Sequence, residues 1–152
     1  MTLSTSRGAI LRDVITAANA RRDGALPFDV PGATEAFDGE LALLGALQLR
    51  WHTRLAGRIE RELMQQPMDL EDAVVAAWRA TADELPGVLA IVDRHRAAPT
   101  GPEMADAMAR SAVKEHALLA MMAGRASSSD DADQVGASIE RRARRRTAVL
   151  AA

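Results

Sequence analysis

The sequence predicts an all-α protein: a single-domain helical bundle of five to six helices around one long central helix at about residues 36–66. Three observations carry that expectation. From Glu40 to Gln66 the chain has no proline, has glycine only at Gly45 and Gly57, and places an apolar side chain at every fourth position: Leu43, Leu47, Trp51, Leu55, Ile59 and Leu63. Shorter stretches on both sides repeat apolar residues at helical spacing. Between the stretches stand prolines, glycines and acidic capping residues, the punctuation that starts and stops helices.

The central stretch sets the architecture. A helix turns ~100° per residue, so a strict spacing of four advances ~40° at each step and the apolar row winds across roughly half the circumference. Leu41 and Leu44 lie beside the row. A helix apolar over so wide an arc must be covered by more than one neighbour.

Ahead of it, residues 6–22 put Ile10, Leu11, Val14, Ile15 and Ala18 on one face, with Ser4 or Thr5 as the expected N-cap and Gly24 as the stop. Residues 23–34 hold Pro27, Pro31 and two glycines, and read as an extended linker pinned by Phe28 and Val30. Behind the central helix, Pro67 forbids continuation and Asp69 caps the next helix, whose stripe runs through Leu70, Ala73, Val74, Ala77, Trp78, Thr81 and Leu85. Leu85-Pro86-Gly87 should kink or break that helix before a second piece at 88–95. Thr100 with Glu103 and Pro102 reads as a capping box opening a helix that stops at Gly124. The polar run 127–131 leads into a last helix at 131–150. In domain terms, 1–126 is expected to be the bundle, and 127–152 a polar linker and basic C-terminal helix.

A chain of 152 residues buries a core without staples, so neither metal nor disulfide is required for folding, and no cofactor is demanded. The absence of cysteine removes disulfides, thiolate metal sites and cysteine nucleophiles, and makes the cytoplasm the expected compartment. A net charge of −2 gives no global pull toward nucleic acid or anionic membrane. Trp51, Trp78, Phe28 and Phe37 are too few rings to serve both a core and a base-stacking platform. No apolar run has the length of a bilayer span, and the N-terminal segment, meeting Asp13 and a double arginine early, is expected to belong to the mature chain.

Three groups of residues are candidates for chemistry. The helix beginning near Glu103 carries Met104, Met108, Ala112, Leu118, Leu119 and Met122 in one stripe, with Glu115 near its middle, where a carboxylate is costly unless paired or protonated. Glu115 with His52, His95 or His116 is therefore a candidate metal or haem site of the kind bundles house between facing helices. The bland alternatives are an arginine partner for Glu115 or its snorkelling past the stripe to water, and ordinary amphipathic roles for the histidines. The Glu-x-x-His pair of dinuclear carboxylate bundles is absent, as are His-Glu-x-x-His, a glycine-rich phosphate loop and a Gly-x-Ser-x-Gly elbow, so no catalytic residue is assigned. The methionines read as pliable core packing.

The third group is Arg141, Arg142, Arg144, Arg145 and Arg146, five arginines within six positions. They suit an acidic protein partner or, below that in rank, the phosphates of a nucleic acid; pairing with nearby acidic residues is the bland alternative. They leave Val135, Ile139, Ala143, Val149 and Leu150 as a thin strip expected to bury little. With no catalytic motif and an oversized apolar arc on the central helix, the expected role is non-enzymatic: association with a protein partner, a second copy included.

Overall fold

The computed structural model describes residues 6–126 and 129–151, with the side chains of 129–130 and 146–151 outside the description. The described residues form seven α-helices and no strand: α1 Arg7–Arg21, α2 Ala33–Ala36, α3 Glu40–Gln65, α4 Leu70–Glu84, α5 Pro86–Ala97, α6 Pro102–Met122 and α7 Ser129–Ala151. The class is all-α, a helical bundle. The count exceeds the expected five to six because the linker contains the single turn α2 and because α4 and α5 are separate helices.

α3 is one continuous helix of 26 residues. Its row is buried as the spacing requires: Leu43, Leu47, Leu55 and Ile59 are fully inaccessible and Trp51 is 4% exposed, while Leu63 near the end is half-buried. Each such side chain contributes roughly 1.5–3 kcal/mol by leaving water, which makes this row a main source of stability.

The described chain divides into two compact units, Met1–Trp51 with Leu85–Ala105, and His52–Glu84 with Asp106–Ala152.

In the first unit α1 packs on α5 and α2. Ser6, not the expected Ser4 or Thr5, caps α1: its hydroxyl accepts from the Ala9 amide at 3.1 Å. The stop comes earlier too, at Arg22, whose left-handed backbone (φ 54°) returns its amide to the Ala18 carbonyl. Ser4 and Thr5 lie outside the described residues. The α1–α5 crossing is tight at Gly87, where a Cβ would fall 1.9 Å from the Ala18 carbonyl oxygen. Asn19 completes the joint by accepting from the Gly87 amide at 2.9 Å, satisfying a first-turn donor of α5 that has no intrahelical partner. Pro86 occupies the start of α5, where its missing N–H costs nothing.

The expected capping box at α6 does not form. Pro102 takes the first helical position, which pushes Thr100 one residue too far out, and its hydroxyl donates instead to Glu40 at 3.1 Å. The Thr100 amide turns to the Met104 sulfur.

In the second unit α4 packs on α7, and Ala73, Val74, Val75, Ala77, Trp78 and Thr81 of α4 are buried. Asp69 caps α4 by accepting from the Asp72 amide at 3.2 Å. The C-terminal helix is seated more deeply than its thin strip implies: Ala132, Ile139 and Ala143 are buried. Small residues are the reason. At Gly136 the α7 backbone meets the α6 backbone so closely that a Cβ would lie 1.9 Å from the His116 carbonyl oxygen. The arginines do not hold the helix off, because Arg142 and Arg144 lie aside onto polar and aromatic partners in the same unit.

Candidate functional site

On the outward side of α3 in the first unit, Leu41, Ala42, Gly45, Ala46 and Leu49 recur at intervals of three and four and so share one face. With Arg7, Gly8 and Leu11 of α1 and with Phe37 they line an apolar groove of about 530 Å³. Gly45 forms an open floor, since nothing stands within 4 Å of where its Cβ would be. Leu49 is 68% exposed and Leu41 39% exposed, and Arg7 lies over the Phe37 ring at 4.8 Å. The groove therefore offers large apolar side chains around a shallow centre, with one guanidinium at its α1 side.

The second unit holds a polar cluster where α6 meets α7. Nδ1 of His116 donates to Oδ1 of Asp133 at 2.8 Å, and Nε2 faces Oε1 of Glu140 at 3.7 Å. Asp133 and Glu140 are seven residues apart on α7, on one face, with Gly136 between them against the His116 backbone. The side chains of His116 and Glu140 are each 14% exposed. Arg144 donates to the other Glu140 oxygen at 3.3 Å and stacks over Trp78 at 4.9 Å. The two carboxylates, Glu140 first, push the His116 pKa up against the opposing effect of burial.

A third cluster ties α7 to α4. Arg142 donates to Glu71 at 2.5 Å and to Asp72, and Arg125 also pairs with Glu71. The Asp72 carboxyl is held below its usual range chiefly by the Arg142 hydrogen bond. Arg79 of α4 donates to the carbonyl oxygens of Ala143 and Arg142 at 3.1 and 3.2 Å.

The residues expected to bind metal or haem are divided between the two units, His95 in the first and His52, Glu115 and His116 in the second. His95 is buried in the first unit and donates from Nδ1 to the Ile91 carbonyl one turn back, at 2.7 Å. His52 is half-buried at the start of the second unit's share of α3. Glu115 is 3% exposed, as the stripe predicts, and His116 beside it turns to Asp133 and Glu140. Among the described residues no group of three or more His, Asp or Glu side chains could hold a metal ion.

Of the five arginines, Arg142 and Arg144 are engaged within the second unit, Arg141 and Arg145 are exposed, and the Arg146 side chain lies outside the described residues. Sequence spacing alone does not identify Asp133 and Glu140 as partners of His116. Their spacing of seven is visible in the sequence, but which helix it faces is not. No described helix is long and apolar enough to cross a membrane. Comparison with known protein families, with curated proteins and with solved structures finds no match to this chain.

Proposed function

We propose that this protein works by protein–protein association, and that the first partner is a second copy of itself, received by the groove between α1 and α3. The observation that carries the proposal is Leu49, 68% exposed on the rim of an apolar groove whose floor is a glycine. Leucine in that setting costs solvation free energy that docking would recover, and an open Gly45 lets another helix come close.

The spacing favours a second copy. Leu41 and Leu49 stand four residues to either side of Gly45, so a two-fold axis passing beside Gly45 brings Leu41 of one copy level with Leu49 of the other. A self-complementary pattern of this kind is what an isologous interface needs. A cytoplasmic setting, expected from the lack of cysteine, goes with this reading.

Light scattering coupled to size exclusion tests it, at protein concentrations from about 1 μM to about 1 mM. The wild type is expected to pass from monomer to dimer across that range. Leu49→Asp should stay monomeric with its melting temperature unchanged, and Gly45→Met, which fills the floor, should stay monomeric with a melting temperature no lower than that of wild type, since methionine favours the helix over glycine. A wild type that remains monomeric throughout, or a dimer indifferent to both substitutions, overturns the proposal.

A further inference from the structure

We propose that the His116 ring, seated between Asp133 and Glu140, is a proton-operated clasp between α6 and α7, closed when the ring is protonated and loosened when it is neutral. The clasp is independent of the α1–α3 groove and of the association proposed for it.

The geometry distinguishes the two ring nitrogens. Nδ1 is committed: its N–H donates to Asp133 at 2.8 Å in either protonation state. Nε2 is the variable atom. It is buried, finds no hydrogen-bond partner among the described residues, and faces Glu140 Oε1 at 3.7 Å. With Nδ1 holding a proton, the neutral ring presents a lone pair at Nε2 toward a carboxylate oxygen, which is repulsive. The imidazolium presents an N–H there, and a small closure turns the 3.7 Å approach into a charge-assisted hydrogen bond. Both carboxylates come from α7 and the ring from α6, so the proton links two helices and not two turns of one.

Burial raises the stakes. Glu140 is 14% exposed, and a carboxylate so placed requires positive charge nearby. Arg144 supplies it on the Oε2 side, and His116 supplies it on the Oε1 side only when protonated. The charged groups facing the ring from α7 are Asp133 and Glu140, with Arg144 behind Glu140. On α6 itself Lys114 is exposed and Glu115 is buried. From α4, which packs on α7, Arg79 donates to the carbonyls of Arg142 and Ala143, while Glu71 and Asp72 pair with Arg142. The two carboxylates raise the His116 pKa in the folded protein. The sign follows from that direction: stability from the clasp is fully present below the unfolded-state value, and is lost as pH rises through the folded-state value. The contact at Gly136 keeps the α6–α7 crossing in register, so the expected response is loosening and not wholesale release.

The test is a pair of measurements on the full chain. Urea unfolding of the wild type and His116→Gln is compared from about pH 5 to about pH 9, because glutamine keeps a donor and cannot take the charge. The ratio of the two folding constants should be greatest at the acid end and decline as pH rises. Its total decline is about tenfold for each pH unit by which the folded pKa exceeds the unfolded one. A ratio that does not vary with pH overturns the clasp.

NMR titration of the His116 ring in the wild type covers the case in which the variant fails to fold. A midpoint above that of a free histidine, lowered in Glu140→Gln, is expected; a midpoint at or below the free value overturns the proposal. Hydrogen exchange supplies the inter-helix readout. Protection of α7 amides should fall with rising pH beyond the intrinsic base catalysis of exchange in the wild type, and not in His116→Gln; equal behaviour of the two proteins counts against the clasp.

Discussion

Gly136 and His116 touch backbone to backbone: a Cβ on the glycine would stand 1.9 Å from the His116 carbonyl oxygen and 2.4 Å from its Cα. No rotamer can relieve such a contact, since the obstacle is main chain. The same contact sets the ring of His116 between Asp133 and Glu140, so packing and electrostatics at this crossing depend on one missing side chain.

Gly136→Ala should therefore force α7 away from α6 and destabilise the protein by at least about 2 kcal/mol. For a chain of this size that corresponds to a fall of roughly 4–8 °C in melting temperature. Gly57→Ala is the control, because nothing lies within 4 Å of its Cβ position on α3. That change should stabilise by about 0.5–1 kcal/mol through helix propensity alone. Thermal denaturation followed by circular dichroism measures both.

Asn19→Ala should cost about 1 kcal/mol. The asparagine accepts from the Gly87 amide at the first turn of α5, and no other residue of α1 replaces it there. Asn19→Asp should recover most of the loss, since a carboxylate accepts the same hydrogen bond and suits the positive end of the helix dipole. Urea midpoints at constant slope give the comparison.

Arg142→Ala should weaken the hold of α4 on α7 at low salt. The arginine reaches both Glu71 and Asp72, yet its side chain is 36% exposed, so screening limits the effect. The difference from wild type should shrink as salt rises to about 1 M, where the Debye length is about 3 Å. An unfolding series in sodium chloride reads it directly. An effect that salt leaves unchanged would assign the role of Arg142 to packing.

The opposite pH dependence to that of His116 is expected at Glu84. The Arg58 hydrogen bond, at 2.7 Å and with a second arginine at 3.6 Å, holds the Glu84 carboxyl below its usual range. A depressed folded-state value gives stability that is present above the unfolded value and is lost as pH falls through the folded one. Glu84→Gln should thus be less stable than wild type near neutrality, by on the order of 1 kcal/mol, and should converge with it in acid. Stability curves for both proteins between neutral and acid pH check the convergence.

Much of the helical layout was legible residue by residue. The row from Leu43 to Ile59 dictates α3, Pro67 and Asp69 dictate its end and the start of α4, and Pro86 separates α4 from α5, all through local sterics and spacing. Structure and local pattern part where two features compete for one role. Ser6 caps α1 although Ser4 and Thr5 offered equal chemistry, and Pro102 displaced Thr100 from the capping position. The buried carboxylate at Glu115 was readable from its place in a Met-rich stripe, while the partners of His116 were not.

What the sequence determined alone is what depends on neighbours along the chain: the long helical segments and the breaks between them, the apolar faces, and the burial of the Trp51 row. What only the tertiary structure decided is which faces meet. Gly136 reads in isolation as a poor helix former, and becomes the closest point of α6 and α7 only once another backbone arrives. Arg142 and Arg144 read as a basic cluster until Glu71, Asp72 and Trp78, far away in sequence, are brought beside them. The physical reason is the same throughout. Helix propensity and periodicity act over a few residues, whereas ion pairs, stacking and backbone contact between helices depend on distances that the chain sets only by folding.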